Sequence, residues 1–296
     1  MNHILFTKEL LLLVVAVFVM IATSCIKEDL DQCYTLKLKV ENIKGDDITE
    51  YGWMESTDLY IFDENLNYLE KRSLDKNFIR SRNEIVLDGY TADRSLRIVA
   101  WGNVNALGEK QSVSEAQTIE DLKVMLKSQD GLAVTPDSLY YGSEQVLTKA
   151  GGVAKETEIV IRPKVGTVTI ETRGLQEQLG RMGLRSSVDC DFYLNNTLSG
   201  FDYRGTQIGD SVYYNPEGAW NESGVEWITP TMQTACPGQD MAVSIGSAKV
   251  DENGDPIYTS AGENTHLILE WGEGGTLSVR ATVRPWGVVE EDIPMH

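Results

Sequence analysis

The stretch EIVIRPKVGTVTIETR, residues 158–173, places two strand patterns end to end with a proline between them. Residues 158–162 and 165–171 both have the composition of strands, and Arg162-Pro163-Lys164 separates them. Proline has no amide hydrogen to donate to a sheet ladder, so one continuous strand is not expected here. The sequence therefore predicts a junction near residue 165 between two β units.

Alternation of apolar and polar residues extends over most of the chain and is typical of strands with one buried and one solvated face. It is clearest in residues 36–40, 188–194 and 277–283. Further strands are predicted around residues 58–62, 84–87 and 96–101.

The segments HLILEW and TLSVRATV, residues 266–271 and 276–283, are separated by Gly-Glu-Gly-Gly, which predicts a hairpin. Helical spacing is convincing only over residues 118–126, where Thr118 and Asp121 resemble a capping box. We therefore predict a mainly β protein with little helix, built from two tandem β-sandwich domains over residues 34–165 and 166–296.

The length and the net charge of the chain limit the classes of function that it can have. The chain has 296 residues, a hydrophobic fraction of 42% and a net charge of −19. This length suits two domains with packed cores. Because the chain is strongly acidic, it should repel nucleic acid and anionic membrane surfaces, and no nucleic-acid partner is expected.

The amino-terminal region predicts a lipoprotein. Residues 10–21, LLLLVVAVFVMI, form an apolar run of signal-peptide length, shorter than the roughly 20 residues that span a bilayer. Three small residues then precede Cys25, which resembles the lipobox of bacterial lipoproteins. That resemblance implies removal of residues 1–24 and a covalent lipid on Cys25, with no other cofactor. A plain secretory signal with an incidental cysteine is the alternative.

Three charged residues follow the lipid cysteine. Lys27, Glu28 and Asp29 resemble the signal that sends Bacteroidetes lipoproteins to the outside of the outer membrane. This resemblance implies a surface-exposed protein held at the cell outer membrane, with residues 25–33 as a lipid-anchored linker. An ordinary solvated linker would also be charged.

The remaining cysteines are Cys33, Cys190 and Cys236. In an oxidising compartment Cys190 and Cys236 are a possible disulfide, and buried free thiols are the alternative. The chain has no Cys-x-x-Cys spacing, so these cysteines are not expected to bind a metal.

Catalytic motifs are absent from the sequence, and no catalytic residue is predicted. His266 lies in an alternating strand and is expected to be a hydrogen-bonded structural residue. Among the six tryptophans, Trp220 and Trp227 lie in a looser stretch and are the candidates for exposure on a sugar-binding platform. Packing in the core is nevertheless the favoured interpretation of the tryptophans.

Several blocks, taken in order, resemble one family. They are CIKEDLDQC at residues 25–33, STDLYIFDENLNYLEKR at 56–72, SLRIVAWGNVN at 95–105, LYYGSEQV at 139–146 and IVIRPKVGTVTIETRGL at 159–175. Together they resemble the FimB-type fimbrial anchor lipoproteins of Bacteroidetes. The resemblance implies two transthyretin-like β-sandwiches and a role in holding the base of a fimbrium and limiting its length.

The same resemblance implies that the partner is a fimbrial shaft subunit, a fimbrillin, joined by strand exchange. In fimbrillins an arginine-specific protease removes the first strand, and a neighbouring subunit fills the open groove with its own strand. An anchor must avoid that cut, and no arginine occurs here before Arg72. We therefore expect residues 34–40 to stay in their own groove, still joined to the lipid.

Two questions stay open at the level of sequence. The final alternating strand, residues 276–284, either is donated to the shaft or completes its own domain. A surface glycan-binding lipoprotein is the alternative function, and a hydrolase with two facing carboxylates is a more distant one.

Overall fold

The computed structural model describes residues 34–87, 89–90, 94–105, 109–148, 157–181, 192–235, 242–245, 248–249 and 259–287. The strands of the first half are β1 Tyr34–Val40, β2 Ser56–Phe62, β3 Tyr68–Asp75, β4 Ile85–Leu87, β5 Ser95–Gly102, β6 Gln111–Val113, β7 Val124–Leu126, β8 Ser128–Gln129, β9 Leu132–Ala133, β10 Tyr140–Leu147 and β11 Thr157–Pro163. The strands of the second half are β12 Val165–Arg173, β13 Phe192–Phe201, β14 Gln207–Tyr214, β15 Ala219–Trp220, β16 Trp227–Ile228, β17 Met232–Ala235, β18 Ala242–Ile245, β19 Ala248–Lys249, β20 Glu263–Trp271 and β21 Leu277–Pro285.

Helix is scarce in the described residues. It comprises α1 Lys76–Arg80, α2 Leu175–Arg181 and two 3-10 turns, Thr49–Tyr51 and Ile119–Asp121. The predicted class, mainly β with little helix, is confirmed. The predicted helix over residues 118–126 is wrong: the capping box of Thr118 and Asp121 forms, but it closes a single turn.

The first sheet has seven strands in the order β3-β2-β5-β10-β11-β1-β4. Its pairs are antiparallel except β1 and β11, which run parallel. Strands β10 and β11 pair through only two residues each, so the β3-β2-β5-β10 part and the β11-β1-β4 part meet at a narrow point.

The second sheet orders β15-β16-β12-β20-β21, with β17 also paired to β12. Strands β12 and β20 are parallel, and β20 and β21 form the predicted antiparallel hairpin. The hairpin ends in a turn where Gly274 and Gly275 both have positive φ, a conformation that glycine adopts without a Cβ clash.

The third sheet orders β19-β18-β13-β14-β9-β8, with β7 also paired to β13 and β6 to β7. Its short strands β6 to β9 come from the first half of the chain, so residues 111–133 belong to a sheet otherwise built by the second half. The proposed division at residue 165 into two transthyretin-like sandwiches stays a prediction.

The junction itself is short. Lys164 is the one residue between β11 of the first sheet and β12 of the second. Trp101 is fully buried there and packs against Tyr141 and Phe201, with ring centroids 5.0 and 5.8 Å away. Buried apolar side chains of both halves form one contiguous core.

Candidate functional site

The first strand lies inside its sheet. β1 is parallel to β11 over five pairs, from Leu36–Thr157 to Val40–Ile161, and antiparallel to β4 over three. Its apolar side chains Leu36, Leu38 and Val40 are only 0, 3 and 2% exposed. Burial of a side chain of this size contributes about 1.5–3 kcal/mol, so the strand is held firmly by its apolar face.

A charged cluster fixes the carboxyl end of β1. The Glu41 amide donates to the Ile161 carbonyl at 3.0 Å, continuing the β11 ladder. The Glu41 carboxylate accepts from Lys39 Nζ at 2.9 Å and from the guanidinium of Arg162 in β11. Burial alone raises the pKa of Glu41, but the hydrogen bonds from Lys39 and Arg162 outweigh it and hold that pKa below its ordinary value.

Side-chain hydrogen bonds also close the chain after β1. The Val40 amide donates to Thr49 Oγ1 at 2.9 Å, and the Ile48 amide donates to the Val40 carbonyl at 2.8 Å. Thr49 Oγ1 in turn donates to Asp47 Oδ1 at 2.6 Å. The backbone of β1 is thus bonded on the side that the short strand β4 leaves uncovered.

The loop that follows β1 carries an exposed lysine and no arginine. Asn42 Oδ1 accepts from the amides of Lys44 and Asp46, both at 2.9 Å, and this closes a tight turn around Lys44. The first arginine of the sequence, Arg72, lies in β3, where it binds the Glu70 carboxylate and the Val86 carbonyl. An arginine-specific protease therefore meets no arginine between Cys25 and β3.

The last strand, β21, is the second unusual element. It pairs with β20 over nine residues, and no described residue pairs with its outer edge. Thr265, Leu267 and Leu269 of β20 are buried, and directly opposite partners in a ladder point to the same face. Their partners Val283, Ala281 and Val279 should therefore be buried too.

They are exposed instead. Val279 and Val283 are 37 and 43% exposed, and Ala281 is also exposed. The core thus ends at β20, and β21 presents an apolar stripe on the core side of the sheet. An open edge with an apolar face is the surface that an added strand covers.

A cavity of about 890 Å³ lies where the two halves meet. Trp53 and Lys44 of the first half and Arg284 and Trp286 of the second contribute to its walls. The Trp286 indole donates to Asn264 Oδ1 at 3.1 Å. Lys44 and Arg284 have no carboxylate partner among the described residues, so this cleft is locally cationic in an acidic protein.

Trp220 and Trp227 pack against the protein, as the favoured interpretation of the sequence expected. Trp227 is 5% exposed and stacks on Phe192 with ring centroids 4.7 Å apart, and Trp220 is half-buried. The pairing of β15 with β16 turns the Trp227 ring into the core, and this speaks against a sugar-binding platform at these two residues. Trp53, which sequence reasoning did not single out, is 43% exposed, and its ring is tilted by 43° from that of Tyr51.

Several predicted site residues lie outside the described residues. They are the lipid-attachment residue Cys25, the export signal Lys27, Glu28 and Asp29, and the possible disulfide pair Cys190 and Cys236. Their roles stay predictions.

His266 is a paired structural residue, as predicted. Its Nε2 lies 3.1 Å from a carboxylate oxygen of Glu171 in the adjacent strand β12. Within the described ranges, no three His, Cys, Asp or Glu side chains are grouped to hold a metal ion. In the same ranges no helix has the length and apolarity to cross a membrane.

Comparison with known proteins fixes the family. The sequence model of the fimbrillin-A associated anchor proteins Mfa1 and Mfa2 matches residues 30–292. The chain belongs to this anchor family. A similar relative is the major fimbrium anchoring subunit FimB of Porphyromonas gingivalis, 27% identical over 300 residues that cover 95% of this chain and 94% of FimB.

Solved structures of similar fold include the fimbrial anchor protein Mfa2 from P. gingivalis, with a TM-score of 0.58 at 15% identity over 85% of this chain and 98% of Mfa2. A Bacteroides thetaiotaomicron protein proposed to bind polysaccharides has a TM-score of 0.64 at 15% identity over 88% of this chain and 99% of that protein. These two likenesses support the fold.

Membership in the anchor family confirms the resemblance seen in the sequence blocks. It also confirms that the chain is not an enzyme. A location at the cell envelope and an association with fimbrial subunits follow from the family.

Proposed function

We propose that this protein is a lipoprotein that anchors the base of a fimbrium to the outer membrane and limits the length of the fimbrium. The observation that carries the proposal is the first strand: β1 fills its own groove between β11 and β4, and no arginine separates it from Cys25. A subunit that keeps this strand keeps its covalent link to the lipid. It therefore stays in place while other subunits polymerise.

The lipid supplies the attachment. Acyl chains on Cys25 each contribute about 0.8 kcal/mol per buried methylene, and two or more chains together give stable anchoring. Lys27, Glu28 and Asp29 then direct the protein to the outer face of the outer membrane. Mass spectrometry of the mature polypeptide should find an acylated Cys25 at its amino terminus. An unacylated terminus well beyond Cys25 would overturn the proposal.

The export signal has its own test. Replacing Lys27, Glu28 and Asp29 together by alanine should leave the lipid but place the protein on the inner side of the membrane. Protease added to intact cells should then no longer digest it, whereas it should digest the unaltered protein.

We place the junction with the shaft at β21. Because β1 occupies its own groove, that groove cannot accept a strand from the shaft subunit. The open edge and apolar stripe of β21 can instead complement a groove in the shaft subunit, either by edge pairing or by donation of the strand. Its nine-residue pairing with β20 is the resting state of the strand.

Deletion of the whole chain tests the anchor role. Cells without it should carry few fimbriae, and long fimbriae should accumulate in the medium. Normal numbers of attached fimbriae of normal length would contradict the proposal.

Variants of β21 test the site of the junction. Val279→Asp with Ala281→Asp puts charges on the apolar stripe, and the altered protein should be membrane-bound but fail to retain fimbriae. The matched control is Ser278→Asp with Thr282→Asp on the opposite face of the same strand, which should retain them. Equal retention by both variants would move the junction away from the stripe.

Glycan binding is the second candidate function. The cavity between the halves favours it, because Trp53 could stack on a sugar while Lys44 and Arg284 bind acidic substituents. However, the described tryptophans offer no coplanar exposed pair. Glycan-array binding lost in Trp53→Ala, together with normal attachment of fimbriae in the deletion strain, would favour this function over anchoring.

A further inference from the structure

We infer that this protein also has a mechanical function: its two parallel strand pairs, β1–β11 and β12–β20, form a clamp that is loaded in shear when the fimbrium pulls against the lipid. The inference rests on the proposed function, which places the lipid before β1 and the shaft at β21.

The first pair is loaded at opposite ends. Tension from the lipid enters β1 at its amino-terminal end, Tyr34. Tension toward the second half leaves β11 at its carboxyl-terminal end, Pro163, because Lys164 alone leads on to β12. In a parallel pair the start of one strand and the end of the other lie at opposite ends of the ladder. The pull therefore slides the two strands along each other.

The second pair repeats the arrangement. Tension enters β12 at its start, Val165, and leaves β20 at its end, Trp271, where the hairpin leads into β21. These strands are parallel over seven pairs, from Thr167–Asn264 to Arg173–Glu270. Again the loaded points lie at opposite ends of the ladder.

Shear and peeling differ in how many contacts must fail together. A strand peeled from one end loses its ladder bonds one after another, whereas sliding requires all of the paired residues to lose their partners within the same step. The barrier to forced unfolding is therefore higher in shear, and that barrier governs survival under load. A parallel ladder also spaces its bonds evenly along the strand, so they share the load.

Local contacts reinforce the loaded ends. At the β11 end, Glu41 bridges the strands through its amide to Ile161 and its carboxylate to Arg162. At the start of β12, the Gly262 amide donates to the Val165 carbonyl at 2.8 Å. The end of β11 and the start of β12, which flank the junction at Lys164, are thus each bonded to the strand that would slide past them or to the residue that precedes it.

The inference predicts that resistance depends on the direction of pull. We would attach one handle at residue 25 of the mature, non-acylated full-length protein and a second handle through an azide-bearing amino acid at exposed position 273 in the β20–β21 turn. In the control, the second handle is at exposed position 158 near the start of β11, opposite Lys37. Pulling on 25 and 158 loads both strands at the same end and peels β1.

Single-molecule force spectroscopy should give a rupture force several-fold higher for the 25–273 pair than for the 25–158 pair. Both labelled proteins should have the same melting temperature, so that only the direction of load differs. Equal rupture forces, or a higher force for 25–158, would overturn the clamp. Such a result would leave anchoring itself intact, because anchoring is decided by the count of attached and shed fimbriae.

Discussion

At the scale of single residues, Asn103 and Gly142, which lie in blocks that resemble the anchor family, fix how neighbouring strands meet. Asn103, from the block around Trp101, is buried with a positive φ of 61°. Its Oδ1 accepts from the Glu55 amide at 2.7 Å, and its Nδ2 donates to the Ser138 carbonyl at 2.9 Å. One side chain therefore joins the ends of β2 and β5 to the segment that enters β10.

Replacing Asn103 by alanine should lower the free energy of unfolding by about 1–3 kcal/mol, because buried backbone groups lose their partners. Chemical denaturation monitored by tryptophan fluorescence measures this loss. Asn65→Ala, in an exposed turn where the side chain has no such role, is the matched control and should change stability little. Equal effects of the two substitutions would contradict the role of Asn103.

The position of Gly142 shows why the block at residues 139–146 contains a glycine. A Cβ at this position would lie 2.3 Å from the Val160 carbonyl oxygen of β11. This close approach lets β10 and β11 meet although they share only two ladder pairs. Gly142→Ala should therefore force the strands apart, at a cost of about 1–3 kcal/mol. Gly180→Ala, where a Cβ meets nothing within 4 Å, is the control for the same denaturation measurement.

The Glu41 cluster should give stability a defined pH dependence. The pKa of Glu41 is lowered in the folded protein, so its contribution is complete above the ordinary value of 4.5 and is lost as pH falls through the lower folded value. Because Arg162 is partly solvated, we expect Glu41→Gln to cost about 1–2 kcal/mol at pH 7. The difference from the unaltered protein should shrink below pH 4.5.

Urea denaturation at several pH values tests this expectation. The control is Glu270→Gln, which removes an ion pair with Arg280 in which both side chains are about half exposed. That substitution should have a small effect at every pH. A Glu41→Gln deficit that does not change with pH would show that the carboxylate charge is not the cause.

At the scale of elements, the sequence located nine of the 21 strands in the described residues, because alternation is a local property. Residues 36–40, 58–62, 84–87 and 96–101, and the hairpin from 266 to 283, all lie in strands at nearly the predicted bounds. The error at residues 118–126 has a physical cause. Val124–Leu126 pairs with β6 and β13, and this distant pairing overrides the helical spacing that the segment shares with its capping box.

The two terminal strands show what alternation could not predict. β1 and β21 have similar patterns, yet the apolar face of β1 is buried and that of β21 is exposed. Alternation predicts which side chains share a face but not whether a second layer covers that face. The exposure of β21, on which the proposed junction depends, therefore needed the structure.

Because of this difference in burial, shortening an apolar side chain to alanine should lower the free energy of unfolding more in β1 than in β21. Leu38→Ala removes fully packed atoms in β1 and should cost about 2–5 kcal/mol of unfolding free energy. Val279→Ala in β21 should cost less than about 0.5 kcal/mol, since its side chain is already exposed. Equilibrium denaturation compares the two variants. A large loss in Val279→Ala would indicate that β21 is covered in solution.

At the scale of the whole molecule, the two halves of the chain share a sheet, which the sequence did not indicate. Arg162-Pro163-Lys164 marked a real change of sheet, but the return of residues 111–133 to the third sheet depends on pairings far apart in sequence. No local pattern encodes such a crossing. Residue 165 therefore marks the point where the chain passes from one sheet to another, while the hydrophobic core continues across it.

A fragment experiment tests this reading. The fragment of residues 25–164, expressed alone, should lose hydrogen-exchange protection in β6 to β9, because their partners β13 and β14 are missing. Protection in β2 and β5 should persist. Mixing with the fragment of residues 165–296 should restore the lost protection. Full protection of β6 to β9 in the isolated fragment would support an independent first domain.

The parallel pairing of β1 also has a consequence for how the protein is made. Its neighbour β4 is translated some 45 residues after β1, but β11 follows only after about 120. Contacts so distant in sequence form slowly, since a long loop must close first. The first strand, with its apolar face, is therefore made early and lacks its partner β11 until residue 163 has left the translocation pore. During that interval it depends on a chaperone, or on speed of synthesis, to avoid pairing with the wrong chain.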